Sequence, residues 1–285
     1  MADKLDQFES VFRAADKPQF VYQPPVIEMV LVVTDADADH TRAFAQAVRG
    51  FLRPCGLDTA AFETLTVDDF DTVAGMLQCV KRCGPDLVAT YRNLHLSTQD
   101  LRHSLGAYLD TLTQATDIPV LVTPRPDRAA LASALTPTQD VLVMTDHLTH
   151  DVRAINYGVR FTVSGGNVHL CHIEDTATFD RYMAAIERIP AIDTSDAREL
   201  IAAELLKQPA DFIASCAKVL TERGVDRNVH PIVKMGRCVH EYPDLIKAHA
   251  GDLLVCNTKD PERLAMHPLA YALAIEVRDQ VLLLL

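Results

Sequence analysis

The chain has 285 residues, 48% of them hydrophobic, with 27 basic and 39 acidic side chains and a formal charge of −12. That acidic balance argues against a general nucleic-acid binder, which would carry a basic surface, and the length suits about two domains of roughly 100–200 residues. No run of about 18 apolar residues occurs, the opening MADKLDQFESVFRAADK mixes acids with bases, and seven cysteines lack a paired C-x-x-C, so neither membrane nor export is expected and a reduced, cytoplasmic protein is.

In chain order, residues 4–15 suit a short helix with Leu5, Phe8, Val11 and Phe12 on one face, followed by an extended KPQFVYQPP segment; together they form an N-terminal part, 1–25. A first domain over 26–124 then reads as a strand at 26–33 and a helix with Phe44, Val48, Phe51 and Leu52 facing the core. A strand at 57–62, a helix at 68–82, a strand at 87–91, a helix at 99–115 and a closing strand at 118–123 complete it. Residues 125–138, rich in proline, read as a linker or short connecting helix. A second domain, 139–285, has strands near 141–144, 168–172, 229–233, 253–256 and 280–285, and helices near 151–163, 198–223, 243–250 and 267–277. Strands alternating with helices imply an α/β fold with a parallel sheet.

The two domains repeat each other. Residues 30–49 (VLVVTDADADHTRAFAQAVR) align without gaps on 141–160 (VLVMTDHLTHDVRAINYGVR) with nine identities. Pro85-Asp86-Leu87-Val88-Ala89-Thr90 likewise matches Gly251-Asp252-Leu253-Leu254-Val255-Cys256. The offset grows from 111 positions between Asp35 and Asp146 to 166 between Asp86 and Asp252, so the second copy carries 55 more residues in its middle. The first copy is therefore expected to lack one helix and one strand. Each copy opens with an apolar strand, then Thr-Asp, then a helix, the unit whose ligand site lies beyond the strand's carboxyl end.

With VLVMTDH, VRAINYGVRF, NVHLCHIED, LTERGV, IVKMGR, YPDLIKAHAGDLLVC and the final QVLLLL, the second half resembles a universal stress protein domain. The first half repeats the resemblance with VLVVTD, GPDLVAT and LGAYLDTLTQATDIPVLVTP, so the whole chain resembles a tandem universal stress protein. The resemblance implies two flavodoxin-like, adenine-nucleotide α-hydrolase-like domains, the first shortened, and a role as a cytoplasmic binding or regulatory module in stress adaptation. It also implies that last strands pair across a dimer interface; here 120–123 and 281–285 could pair within one chain as an intramolecular pseudo-dimer, with a homodimer and a protein partner further expectations.

Many members of that family bind ATP through G-x-x-G, nine residues, then G-[ST], where glycines let backbone amides approach phosphate. The second-domain loop, Asn257-Thr258-Lys259-Asp260, has no glycine, and Pro268 offers no amide at the next helix. The first-domain loop, Tyr91-Arg92-Asn93-Leu94, keeps only Gly106 downstream. Neither ATP nor Mg is therefore expected as a cofactor, and no reaction is assigned. If a nucleotide did bind, making the chain an ATP or AMP sensor or a slow ATPase, Asp35 and Asp146 would face base and ribose and Arg92, Asn93, Gly106, Asn257 and Lys259 the phosphates. Asp35 and Asp146 equally suit the N-cap of the following helix, which satisfies otherwise unpaired amides.

The histidines suggest a third reading, a metal sensor built on His169, Cys171 and His172 with His147 or His150. Strand alternation puts His172 on the face opposite His169 and Cys171, so these residues do not converge unaided.

Overall fold

The computed structural model describes residues 20–95, 104–127, 129–145, 152–189, 197–258, 266 and 268–285. The short helix expected at 4–15 lies outside them.

The first half runs β1 (Met29–Val33), α1 (Ala38–Leu52), β2 (Ala61–Leu65), α2 (Val73–Cys83), β3 (Leu87–Tyr91), α3 (Ala107–Ala115) and β4 (Val120–Thr123). A five-residue helix, α4 (Ala130–Ala134), connects it to the second. That half runs β5 (Asp140–Met144), α5 (Val152–Phe161), β6 (Asn167–Asp175), α6 (Thr176–Ile186), α7 (Ala197–Glu222), β7 (Asn228–Gly236), α8 (Cys238–Ala248), β8 (Leu253–Cys256), α9 (Pro268–Glu276) and β9 (Val281–Leu284).

All nine strands join one sheet in the order β2-β1-β3-β4-β9-β8-β5-β6-β7. Neighbours are parallel except β4 and β9, which run antiparallel with Val120 opposite Leu284 and Val122 opposite Leu282. The inner strands β3, β4, β8 and β9 are buried along their whole length. Helices cover both faces of such a sheet, so its central strands read as continuous apolar runs without alternation. Read outward from the antiparallel seam, the second half has the order β9-β8-β5-β6-β7 and the first β4-β3-β1-β2, the same order short of one strand.

One hydrogen-bond device recurs in both halves. Asp86, just before β3, accepts the Glu28 and Met29 amides at 2.8 and 2.9 Å. Asp252, just before β8, accepts those of Gln139 and Asp140 at 2.8 and 2.9 Å. Each carboxylate fixes the start of the neighbouring strand and so sets its register. The incoming segment is tied down as well: Asn156 of α5 donates to the Val21 carbonyl at 3.0 Å and accepts the Gln23 amide at 2.9 Å.

Several boundaries differ from those expected. The second strand starts at Ala61 rather than 57, because a short 3-10 turn, Arg53–Cys55, closes on Gly56 at φ 67 and turns the buried Leu57 into the core first. The helix expected from 68 starts at Val73, where the Thr72 side chain accepts the Gly75 amide. Of the helix expected at 99–115, residues 99–103 lie outside the described residues, 104–106 are not helical, and a helix runs from Ala107 after Gly106 at φ 90. A helix absent from the sequence reading, α6, follows β6 directly because Asp175 accepts the Thr178 amide as its N-cap. The first half thus lacks the counterparts of two helices, α6 and α7, together with one strand. Helix α8 begins five residues before Pro243 and carries that proline inside it. Among the described residues no helix is long and apolar enough to cross a membrane.

Candidate functional site

In an open α/β sheet the strand order reverses at a crevice beyond the strands' carboxyl ends, where ligands bind. Here the first such crevice lies between β1 and β3, which are adjacent while β2 and β4 flank them on opposite sides. Asp35 sits at its mouth, one residue past the buried Thr34, with its side chain 13% exposed.

The carboxylate is surrounded by donors from this chain. The Tyr91 hydroxyl at the end of β3 donates to Asp35 Oδ1. The His95 amide donates to Oδ2 at 2.7 Å. The Arg125 guanidinium, from the connection after β4, comes within 3.9 Å of the same oxygen. Arg125 also lies over the Tyr91 ring at 5.2 Å and donates to the Asn93 carbonyl at 2.8 Å. Burial, with the Asp35 carboxylate beside it, raises the Tyr91 hydroxyl far above its ordinary value, so it stays a proton donor.

The loop that follows β3 is shaped to reach this carboxylate. Asn93 and His95 both have φ of 60, a left-handed conformation that costs energy for residues with a Cβ and persists where surrounding contacts hold it. The His95 ring packs between Phe70 at 5.1 Å and Tyr108 at 4.8 Å. Asn93 donates its amide to the Leu105 carbonyl at 2.9 Å. Gly106 presses on the same residue: a Cβ there would stand 2.9 Å from Asn93 Cα, at a φ of +90. Glycine is therefore needed for a close contact between two backbone segments of this chain.

Each expected site residue can be placed against this geometry. Asp35 is not the N-cap of α1; Asp37 is, accepting the Asp39 and His40 amides. Ala36 separates them, and Asp35 leaves the strand too early to meet the first helical amides. Arg92 points away from the crevice and donates to the Val277 and Arg278 carbonyls at 2.6 and 3.1 Å, at the end of α9. Asn93 and Gly106 contact each other. Asn257 is half-buried after β8, and its neighbour Thr258 donates from amide and hydroxyl to the Leu285 carbonyl at 2.8 and 2.6 Å. Asp146 and Lys259 lie outside the described residues, as do His147 and His150.

Tyr91, His95 and Arg125 were not singled out from the sequence. Tyr91 ends a buried strand that is otherwise aliphatic but for Thr90, and that signal could have been read. Arg125 sits in a proline-rich stretch that looks like a linker.

His169 and His172 part company as alternation requires. His172 donates from Nδ1 to the Thr145 carbonyl at 2.7 Å, beyond the carboxyl end of β5, whereas His169 Nε2 meets Asp140 at 2.9 Å at the amino end. Among the described residues, no three His, Cys, Asp or Glu side chains stand arranged around a metal ion.

No family model matches the chain. No curated protein matches it either. Among solved structures it is similar to a protein of unknown function from Pseudomonas aeruginosa PAO1, at 12% identity over 91% of this chain and 92% of that one, with a TM-score of 0.52. It is equally similar to a candidate universal stress protein from Pseudomonas aeruginosa UCBPP-PA14, at 12% identity, 91% and 93% coverage and a TM-score of 0.52. At such identity the likeness is one of fold: a chain of alternating strands and helices on a mostly parallel sheet, consistent with the flavodoxin-like architecture of the universal stress proteins.

Proposed function

We propose that this chain is a tandem universal stress protein of the type that has given up the nucleotide, acting in the cytoplasm as a binding or regulatory module in stress adaptation, with no reaction assigned to it. The observation that carries this reading is the bonding of Asp35: Tyr91, the His95 amide and Arg125 together occupy the carboxylate that a base or ribose would otherwise meet. The diversion of Arg92 to the end of α9 supports it, since the cation nearest the crevice mouth in sequence is already engaged. Descent from a duplicated domain is supported by the repeated Asp86 and Asp252 bonds and by the shared strand order. On this reading the antiparallel seam of β4 and β9 makes the chain its own pseudo-dimer, and a protein is the partner it serves.

The competing reading, an adenine-nucleotide sensor, draws on the position of Asp35 at the crevice. It would require the carboxylate to exchange Tyr91 for a ligand hydroxyl. Equilibrium dialysis of the purified chain against labelled Mg-ATP and AMP tests the choice. Retention below a tenth of an equivalent at millimolar nucleotide agrees with the first reading, and one equivalent retained per chain overturns it.

A further inference from the structure

The amino ends of the strands, at the end of the sheet opposite the crevice, differ between the two halves. By register and repeat, Met29, Ala61, Glu63 and Cys83 of the first half correspond to Asp140, Asn167, His169 and His249 of the second. In the first half the Cys83 thiol meets the Glu63 carboxylate. In the second, the His169 ring centre lies 4.5 Å from that of His249, and the ring stacks at 5.1 Å on His230, its paired neighbour on β7. His249 directly follows α8, and three residues on, Asp252 fixes the start of β5.

The polar partners fix which nitrogen of His169 carries the proton. Asp140 Oδ1 accepts from His169 Nε2 at 2.9 Å and from the Asn167 side-chain amide at 2.9 Å. A carboxylate only accepts, so Nε2 is the N–H and Nδ1 bears a bare lone pair. His169 is 5% exposed, and its Nδ1 is buried with no hydrogen-bond partner among the described residues. A proton arriving there creates a buried N–H with no acceptor, which is costly. The groups that face His169 are Asp140 from β5, His230 from β7 and His249 after α8. The helices packed on β6 turn uncharged side chains inward, among them Ile155, Met183, Ile213 and Leu245. Burial holds the imidazolium down against the Asp140 hydrogen bond, with His249 and His230 adding to it.

We propose that His169, with His249 and His230 packed against it, is an acid-operated latch: neutral rings hold the connection from α8 to β8 on the sheet, and acid opens that connection while the rest of the chain stays folded. Neutral imidazoles pack ring on ring at these separations, whereas like charges on neighbouring rings repel in a poorly solvated site. Once the connection lifts, His169 meets water, where an imidazole takes up a proton below about pH 6.5. The closed form refuses that proton and the open form accepts it, so a falling pH favours opening. For one proton taken up at about 6.5, the open population rises about eightfold between pH 7 and pH 5.5. His230 is exposed and His249 half-buried, so the latch lies within reach of solvent.

Hydrogen exchange of single amides in the full chain, each rate divided by its intrinsic rate at that pH, tests this. Gly251 donates to the Ile246 carbonyl at 2.8 Å and Asp252 to the Asp140 carbonyl at 2.8 Å, and both report the opening. Asp86, the counterpart of Asp252, donates to the Met29 carbonyl at 3.0 Å in the half that has Glu63 and Cys83 instead, and it serves as the internal reference. Between pH 7 and pH 5.5 the normalised rate should rise about eightfold at Gly251 and Asp252 and less than about twofold at Asp86. His169→Asn should bring the rise at Gly251 and Asp252 below about twofold. That position is buried, so His249→Gln, at a half-buried one, is the second variant and should at least halve the rise. A rise at Gly251 and Asp252 no larger than at Asp86, or one kept whole in His249→Gln, overturns the proposal.

Discussion

Arg92 donates from Nη2 to the Val277 carbonyl across 2.6 Å, joining the end of β3 in the first half to the end of α9 in the second, 185 residues later. A second bond from Nη1 reaches the Arg278 carbonyl. Arg92→Ala removes a buried donor from two carbonyls, and a loss of about 2–3 kcal/mol is expected from urea unfolding. The same variant should respond to nucleotide as the parent does. A loss of nucleotide binding with stability intact would return Arg92 to the role of a phosphate contact.

Tyr91 and Asp35 make the second test. Tyr91→Phe keeps the ring that packs on Phe44 at 5.4 Å and removes only the hydroxyl that Asp35 accepts. The expected cost is about 1–2 kcal/mol, read as a lower urea midpoint with an unchanged slope. Asp35→Ala should also destabilise, since it leaves the Tyr91 hydroxyl, the His95 amide and Arg125 short of an acceptor.

Gly106 tests the close backbone contact. Gly106→Ala puts a Cβ against Asn93 Cα at a φ that L-residues avoid, so a loss greater than about 1 kcal/mol is expected. An alanine tolerated without loss would mean that this loop yields easily.

Burial lowers the His169 pKa below 6.5 and outweighs the Asp140 hydrogen bond. As pH falls through about 6.5, the unfolded chain takes up a proton that the folded protein refuses, so this group subtracts stability below that pH and is silent above it. His169→Asn, which cannot titrate, should therefore show a weaker fall in urea midpoint between about pH 7 and pH 5 than the parent.

Local signals made much of the fold legible. The strands at 87–91 and 253–256 lie where the sequence puts them because each is an aliphatic run bounded by Gly, Pro or Asp, and central parallel strands need no alternation. The boundary at 57 misled because Leu57 is apolar for the sake of a turn rather than a strand. Helix α6 carried a readable N-cap, Asp175 three residues before Thr178, which went unused. In the candidate site Asp35 could be located from the Thr-Asp repeat, but its role could not. Its partners arrive from 56, 60 and 90 positions away, and nothing in Tyr91, His95 or Arg125 taken singly announces a common carboxylate.

The most direct test is the thermal unfolding midpoint of the purified chain with and without millimolar Mg-ATP, ADP and AMP. A ligand present at about 100 times its dissociation constant stabilises by about 2.7 kcal/mol, which for a chain of this size is an upward shift of several degrees. An unchanged midpoint with all three is the expected result for a module whose crevice carboxylate is already bonded by its own side chains. A clear rise with any of them would contradict that reading and make the protein a nucleotide sensor.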